Sequence, residues 1–229
     1  MKLSIVIPSY NEERTLATLL DRVLALDLAP ALTEVIVVDD GSEDTTPEIL
    51  KRYADQITVL THPANRGKGA AVRSGFGKAT GDYVVVQDAD LEYNPEDFQL
   101  MLDAACRLDA RAVYGSRVLG MEQFGNKHGR LHFFWGGLCL TWITNVLYGT
   151  RITDEPTCYK MIRRDVLNRI TLTSEGFEFC PEITAKIARR GIVIHEVPIR
   201  YAPRSTSDGK KIRFRDGIIA IWTLLKYRF

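Results

Sequence analysis

The sequence predicts an α/β fold in which a mostly parallel central sheet carries helices on both of its faces. The first observation behind this prediction is a series of short β-branched apolar runs, each bounded by Pro, Asp, Asn or Gly, as in strands buried on both faces. The second is that segments with apolar residues at helical spacing separate these runs. Strands that are joined through helices lie parallel in one sheet, so the alternation favours a largely parallel arrangement.

Five strands and four helices follow from this alternation. The strands are predicted at residues 3–7, 35–38, 57–60, 83–86 and 112–114. Between the first two, apolar residues from Leu16 to Leu24 recur at helical spacing, and Asn11 before Glu12 and Glu13 predicts an N-terminal cap with an acidic first turn. Further helices are predicted at 45–53, 68–79 and 95–108.

Two apolar segments stand out in the second half of the chain. Residues 131–148 and 218–229 are rich in aromatic and aliphatic side chains. A membrane span needs about 20 apolar residues, so each segment predicts a buried helix or a helix that lies on a membrane surface. No linker or repeat divides the chain, and residues 1–229 are therefore predicted to form a single domain with a C-terminal subregion.

Composition excludes several classes of protein. The chain has 30 Lys and Arg against 29 Asp and Glu, so no overall basic excess points to a nucleic acid partner. Its four cysteines lie far apart without a CxxC pair, which predicts neither a zinc ribbon nor a disulfide framework. An apolar run follows Met1 without the basic start and cleavage site of a secretion signal, so we expect a cytoplasmic protein.

Acidic side chains follow the predicted strands at the edge where ligands bind in open parallel sheets. Asp39 and Asp40 follow the second strand, whereas Asp88, Asp90 and Glu92 follow the fourth. Alternating positions put Asp88 and Asp90 on the same side of an extended segment, where they can hold a divalent cation such as Mg²⁺ or Mn²⁺. Solvated turn caps are the alternative interpretation.

Basic residues form two further groups. The first, at residues 65–71, places Lys68 and two glycines before a helix, which favours anion binding through backbone N–H groups. Neither the P-loop spacing nor the dinucleotide-binding glycine pattern is present, so nucleotide hydrolysis and nicotinamide chemistry are disfavoured. The second group is a separate cationic set for which a solvated basic loop is the simplest interpretation, and it contains Arg117, Arg200, Arg204, Lys210 and Lys211.

Four of these segments occur in a recognisable order. They read VIPSYNE at 6–12, DDGS at 39–42, GKGA at 67–70 and DADL at 88–91. Together they resemble the signatures of the family 2 inverting glycosyltransferases of the GT-A (Rossmann-like) fold, and within that family the polyprenyl- and dolichyl-phosphate sugar synthases. Segments at 115–117, 154–160, 176–182 and 201–211 also match in order, so the resemblance covers nearly the whole chain.

The resemblance implies metal-dependent, inverting transfer of a sugar from a UDP- or GDP-linked donor to a polyprenyl phosphate such as undecaprenyl or dolichyl phosphate. Residues 1–117 would bind the nucleotide sugar, with Asp39 at the base or ribose, and residues 118–229 would form the acceptor side. The implied donor-binding residues are Pro8, Tyr10, Glu12, Asp39, Asp40, Lys68, Asp88 and Ala89. The implied ligands of Mg²⁺ or Mn²⁺ are Asp88, Asp90 and Glu92, the last standing where the synthases usually have Gln. Arg117, Arg204, Lys210 and Lys211 would bind the acceptor phosphate, and Asp90, Arg117 and Arg204 would be catalytic.

Alternatives remain open at this point. If the acceptor is a sugar hydroxyl, as in cell-surface polysaccharide synthesis, Glu178 or Glu182 could be the base that it needs. A non-catalytic nucleotide-sugar-binding protein is another alternative. Asp154 is expected to be a structural cap or a further functional residue of the site. Without appended membrane-spanning helices, we expect access to a lipid acceptor through the surface helices or a partner, at the inner face of the membrane; the oligomeric state is left open.

Overall fold

A computed structural model describes residues 1–127, 131–204 and 214–229, and its centre is a seven-stranded sheet. The strand order is β3-β2-β1-β4-β6-β5-β7, and β6 is antiparallel to both of its neighbours. The other pairs are parallel, with Ile5 opposite Val35 and Val85. The strands are β1 Lys2–Ser9, β2 Leu32–Asp39, β3 Thr58–Thr61, β4 Tyr83–Val86, β5 Ala112–Ser116, β6 Lys160–Arg163 and β7 Ile194–Pro198.

Helices cover both faces of the sheet because the side chains of each strand alternate between them. Ile5 and Ile7 pack into the larger core with Leu19 of α1, whereas Val6 contributes to a second cluster with Ala71 of α3. The helices are α1 Leu16–Leu24, α2 Thr46–Arg52, α3 Lys68–Lys78, α4 Phe98–Leu108, α5 Arg117–Phe124, α6 Leu131–Tyr148, α7 Arg164–Leu167, α8 Phe179–Ala188 and α9 Phe214–Arg228. A 3₁₀ turn, Pro95–Asp97, precedes α4.

The predicted α/β architecture is confirmed, and so are all five predicted strands and the helices between them. Two details of the prediction are wrong. β3 is not buried on both faces, because it lies at the edge of the sheet with Thr58 and Thr61 exposed. Asn11 does not cap α1, because that helix begins at Leu16. The backbone of Asn11 is left-handed (φ 52°), and its side-chain oxygen accepts a hydrogen bond from the Glu43 amide at 2.8 Å.

The sequence pattern does not predict strands β6 and β7. β6 carries Lys160 and Arg163 within a four-residue strand, so it lacks the apolar run that marks the other strands. It nevertheless lies between β4 and β5, and its Met161 and Ile162 are fully buried. The larger core continues from β1 through this strand to Ile183 of α8.

Helices α6, α8 and α9 pack together around a small cluster of their own. Leu140, Ala185, Ala220 and Leu224 are its buried members, one or two from each helix. Of the two alternatives predicted for this segment, a buried helix holds only for the inner side of α6, because other positions on it are exposed. Within the described residues, no helix is both long and apolar enough to cross a membrane.

Candidate functional site

The carboxyl ends of β1, β2 and β4 meet at one edge of the sheet, as the parallel topology requires. Ser9 at the end of β1 lies opposite Asp39 at the end of β2. Asp39 is buried, and its Oδ1 accepts a hydrogen bond from the Ser42 amide at 3.0 Å, while its contact with a donor nucleotide stays a prediction. Gly41 makes this turn with φ 74°, and a Cβ there would lie 2.7 Å from the Ala64 carbonyl carbon.

Asp40 positions the loop before α3. Its Oδ1 lies 2.6 Å from His62 Nδ1, while Oδ2 accepts a hydrogen bond from the Gly67 amide at 2.8 Å. The next amides of the helix start, those of Gly69 and Ala70, donate to the carbonyl of Glu175 at 2.7 and 3.2 Å. The predicted anion site is therefore wrong for these three N–H groups, because groups of the protein already accept their hydrogen bonds.

Lys68 is the counter-ion of Asp88. Its Nζ lies 2.6 Å from Asp88 Oδ1 and 2.9 Å from the Sγ of Cys158. Burial alone would lower the pKa of Lys68, but the neighbouring Asp88 charge raises it well above its ordinary value. Lys68 thus remains charged and orients Asp88, and the predicted contact of Lys68 with the donor stays a prediction.

Arg204 lies among three carboxylates, one of which is Asp90, the second aspartate of the Asp88–Asp90 pair. Its guanidinium is 3.0 Å from Asp90, 3.6 Å from Glu12 and 4.0 Å from Glu92. The same segment is fixed by hydrogen bonds to Glu92 from the Tyr201 hydroxyl at 2.7 Å and from the Arg204 amide at 2.9 Å. Residues 201–204 therefore close over the acidic edge of the sheet.

Asp90 lies in an unusual electrostatic environment. Burial raises its pKa, and the charges of Asp88 and Glu92 raise it further, to about 7, despite the opposing effect of Arg204. Leu91 after it has a left-handed backbone (φ 61°), and the turn brings the Glu92 amide to within 3.1 Å of Asp90 Oδ1. A left-handed conformation is uncommon for Leu, so this turn is held by its surroundings.

The predicted metal ligands fit a divalent cation by chemistry rather than by a preformed cage. In the described part of the chain, no three His, Cys, Asp or Glu side chains converge closely enough to hold a metal ion. Instead, Lys68 and Arg204 each hold one carboxylate of the pair. The donor set is nevertheless the one that Mg²⁺ and Mn²⁺ prefer, and the mutual repulsion of Asp88, Asp90 and Glu92 is what a divalent charge would relieve.

Arg117 is held in one orientation by Asp154. Its Nε and Nη2 donate to the two carboxylate oxygens at 2.8 and 2.7 Å, and its amide donates to Oδ2 at 2.8 Å. The guanidinium carbon lies 5.2 Å from the centre of the Tyr201 ring, so Arg117 borders the segment that carries Arg204. Burial alone would lower the pKa of Arg117, but Asp154 raises it well above its ordinary value. Asp154 therefore both caps the start of α5 and orients Arg117.

The remaining predicted residues are distributed as follows. Pro8 and Tyr10 are half-buried at the end of β1, and Ala89 is buried between Asp88 and Asp90; their contacts with a donor stay predictions. Arg200 does not join the site, because it pairs with Asp97 in the turn before α4. Lys210 and Lys211 lie outside the described residues.

Glu178 and Glu182 differ sharply in their surroundings. Glu182 is fully buried and accepts hydrogen bonds from the amides of Thr173 and Ser174, both at 2.8 Å, and from Lys186. Burial would raise its pKa, but these hydrogen bonds lower it to about 2. A carboxylate with such a pKa is a poor general base. Glu178 Oε1 accepts a hydrogen bond from the Gly176 amide at 3.1 Å.

Sequence reasoning missed the residues that support these side chains. Glu196 on β7 accepts hydrogen bonds from the amides of Thr153 and Asp154 at 2.6 and 3.1 Å, which fixes the loop that orients Arg117. Tyr201, the first residue of the segment at 201–211, contacts both Glu92 and Arg117. A tyrosine beside a basic cluster was the only signal for it in the sequence.

Comparison with known proteins gives the site its context. Residues 4–171 match the family model described as glycosyl transferase family 2. The chain is 32% identical over 202 residues to a low-salt glycan biosynthesis hexosyltransferase of Haloferax volcanii, covering 88% of this chain and 48% of that protein. It is 29% identical to a dolichyl-phosphate β-glucosyltransferase of Trichomonas vaginalis, covering 98% of this chain and 72% of that protein.

A third relative and a solved structure extend this picture. The chain is 31% identical to an undecaprenyl-phosphate 4-deoxy-4-formamido-L-arabinose transferase of Photorhabdus laumondii, covering 91% of this chain and 62% of that protein. The chain thus spans about half to three quarters of the length of these relatives. Its fold is similar to that of glucosyl-3-phosphoglycerate synthase from Mycobacterium tuberculosis, solved with Mn²⁺, UDP and phosphoglyceric acid (TM-score 0.75, 19% identity, 99% of this chain and 78% of that one).

Proposed function

The chain belongs to glycosyl transferase family 2 and has the GT-A fold, and on that premise we propose that it transfers a sugar from a nucleoside diphosphate to a polyprenyl phosphate. The reaction is inverting and depends on Mg²⁺ or Mn²⁺. The observation that carries the proposal is an acidic edge, Asp88 and Asp90, that lies near two oriented arginines. Arg204 pairs with Asp90, and Arg117 pairs with Asp154 and contacts the Tyr201 ring.

The acidic edge serves the donor. Asp39 accepts hydrogen bonds from the base or ribose of a UDP- or GDP-linked sugar through the oxygen that Ser42 does not use. Asp88 and Asp90 would hold the divalent cation, which supplies positive charge to the departing diphosphate. Lys68 pairs with Asp88 and orients it for this role. A solved mycobacterial relative that contains both UDP and Mn²⁺ supports this assignment.

The arginines serve the acceptor. An oxygen of the acceptor phosphate attacks the anomeric carbon while the bond from that carbon to the diphosphate oxygen breaks, so the configuration inverts. An ionised phosphate needs no general base, and Glu182, with a pKa of about 2, is unsuited to be one. Arg117, fixed by two hydrogen bonds to Asp154, and Arg204 neutralise the phosphate and hold it in line.

The similarity to relatives named for dolichyl phosphate and undecaprenyl phosphate supports a lipid acceptor. The lipid is presented at the inner face of a membrane, so we propose a cytoplasmic site of action in cell-envelope or glycan synthesis. Transfer to a saccharide hydroxyl and non-catalytic binding of the nucleotide sugar are the competing functions.

The test is the release of nucleoside diphosphate from UDP- and GDP-linked hexoses with Mn²⁺, with or without acceptor. We expect stimulation by a short polyprenyl phosphate and none by the matching polyprenol, which lacks only the phosphate. Arg117→Gln should reduce that stimulation about ten- to a hundredfold, since a hydrogen bond to a charged group contributes about 1.5–3 kcal/mol. Arg200→Gln is the matched control, because Arg200 pairs with Asp97 instead.

Stimulation by a saccharide alone would replace the lipid-phosphate acceptor with a hydroxyl acceptor. Binding of the nucleotide sugar without release of nucleoside diphosphate, whichever acceptor is present, would support the non-catalytic function. Thermal melting of both arginine variants shows whether either loss comes from unfolding.

A further inference from the structure

All three tryptophans of the chain lie on two neighbouring helices and face solvent. Trp135 and Trp142 are on α6 and Trp222 is on α9, with 64%, 66% and 65% of their surfaces exposed. Tryptophan is usually highly buried, because its ring is the largest apolar surface among side chains. The core of this protein therefore does not account for their placement.

Each tryptophan belongs to an exposed apolar stripe. The stripe on α6 and the stripe on α9 both follow helical spacing, so each occupies one side of its helix. The residues of these stripes, which we call the tryptophan face, are Leu131, Trp135, Trp142 and Val146 on α6, Ile218, Trp222 and Leu225 on α9, and Phe229 directly after α9.

The two helices that carry the stripes are packed against each other. The inner sides of α6 and α9 are joined through Leu140, Ala220 and Leu224, and the Tyr148 hydroxyl donates to the Leu224 carbonyl at 2.5 Å. The tryptophan face is therefore a feature of packed helices rather than of a loose terminus. Exposed apolar surfaces of this kind mark interaction sites.

The charges around the tryptophan face indicate its partner. Helix α6 contains no Asp, Glu, Lys or Arg, whereas α9 has exposed Arg215 at its start and exposed Lys226 and Arg228 at its end, against the single acidic Asp216. Basic side chains at the ends of an apolar stripe can reach anionic headgroups while the stripe enters the acyl region. A second copy would bring two sets of these cations together with little acidic charge to offset them.

We propose that the tryptophan face docks on the surface of an anionic lipid bilayer. This inference rests on the proposed function and deepens it, because it states how a lipid phosphate reaches the site. The acceptor enters from the bilayer while the protein stays at its surface.

The segments that carry the two arginines precede the two helices closely in the chain. Asn126, shortly before α6, donates to the carbonyl of Arg117 at 3.0 Å and accepts a hydrogen bond from the Tyr201 amide at 3.0 Å. Arg204 in turn precedes α9 by only ten positions. A bilayer that contacts the two helices would thus meet elements that follow closely in the chain on the segments proposed to bind the acceptor phosphate.

The test uses vesicles made from equal parts of phosphatidylcholine and phosphatidylglycerol. Since every tryptophan of the chain lies on this face, the intrinsic fluorescence reports docking without a label. We expect a blue shift on vesicle binding, quenching by brominated phosphatidylcholine, and weaker binding at high salt. Trp222→Ser should weaken partitioning about tenfold, whereas Leu32→Ser, an exposed apolar residue on β2, should not change it.

Three outcomes would overturn the docking proposal. The first is unchanged fluorescence with vesicles, and the second is partitioning of the Trp222→Ser variant equal to that of wild type. The third is a dimer of the wild type in solution that is absent in this variant, which would assign the face to a second copy. Melting curves exclude unfolding as the cause of weaker partitioning.

A separate comparison distinguishes this failure from failure of the proposed function. The wild type and Trp222→Ser are assayed with a short water-soluble polyprenyl phosphate and with a long one in vesicles. Docking predicts that the variant loses activity only on the vesicle acceptor. Equal activity of both proteins on both acceptors would refute docking and keep the function, while vesicle binding without transfer to either acceptor would refute the function and keep docking.

Discussion

Replacing Glu182 with Gln distinguishes two roles of this buried carboxylate, stabilisation of the fold and general-base catalysis. The environment of Glu182 lowers its pKa from 4.5 to about 2, which corresponds to about 3 kcal/mol of stability at neutral pH. The origin is the hydrogen bonds from Thr173, Ser174 and Lys186, which the neutral amide cannot replace in full. We therefore expect Glu182→Gln to lower the free energy of unfolding by about 3 kcal/mol, or Tm by roughly 6–12 °C for a chain of this size.

The contribution of Glu182 to the free energy of unfolding depends on pH. A folded-state pKa below the unfolded value stabilises the protein above the unfolded pKa, and the contribution is lost as the pH falls from 4.5 through about 2. The difference between wild type and Glu182→Gln should thus be constant near neutrality and should shrink below pH 4.5. Urea unfolding at several pH values measures it, with Glu178→Gln as the control.

The same variant tests the hydroxyl-acceptor alternative. As a general base, Glu182 would contribute roughly 10²–10⁴-fold to turnover, so the variant would lose activity with little change in stability. Our reasoning predicts the opposite pattern, in which the folded variant keeps most of its turnover. A difference in stability that does not depend on pH, or a collapse of turnover in the folded variant, would refute it.

Three further predictions concern the candidate site and helix α3. Asp90→Ala should abolish transfer and Mn²⁺-dependent nucleotide binding while the circular dichroism spectrum stays native; full activity of the variant, or of wild type in excess chelator, would exclude the metal assignment. Asp39→Asn should weaken binding of the nucleoside diphosphate about ten- to a hundredfold in calorimetry, since it weakens a charge-assisted hydrogen bond, and unchanged affinity would count against its role. Gly75→Ala in α3 should destabilise the fold by about 1–3 kcal/mol, because its Cβ would lie 2.3 Å from Val6 Cγ1, whereas Gly77→Ala, with nothing within 4 Å, should be neutral or stabilising in the same melting experiment.

The sequence predicts the first half of the fold well because strand and helix periodicity there is regular. Ile5 and Val85 lie in uninterrupted apolar runs, and both belong to buried central strands. β6 could not be found in this way, since its Lys160 is charged. The structure buries that lysine by hydrogen bonds to the Glu155 carbonyl at 2.6 Å and to Thr184 at 3.2 Å, which are tertiary contacts without a local signal.

The candidate site shows the same division. The positions of Asp88 and Asp90 at the end of a strand are predictable, because topology brings the strand ends together. Their counter-ions are not: Arg204 meets Asp90 across 114 positions of sequence. Asn11 illustrates the opposite error, since its local sequence is typical of a helix cap, yet the loop after β2 offers it a better hydrogen bond at Glu43.

The most direct test of the central claim is the identity of the product when both kinds of acceptor compete. Purified protein is incubated with the preferred nucleotide sugar, Mn²⁺, a short polyprenyl phosphate and an equimolar saccharide, and the products are analysed by mass spectrometry and phosphorus NMR. Our account predicts a sugar joined through a single phosphate to the lipid, with no phosphate-free glycoside. A glycosylated saccharide beside unmodified lipid phosphate would contradict it.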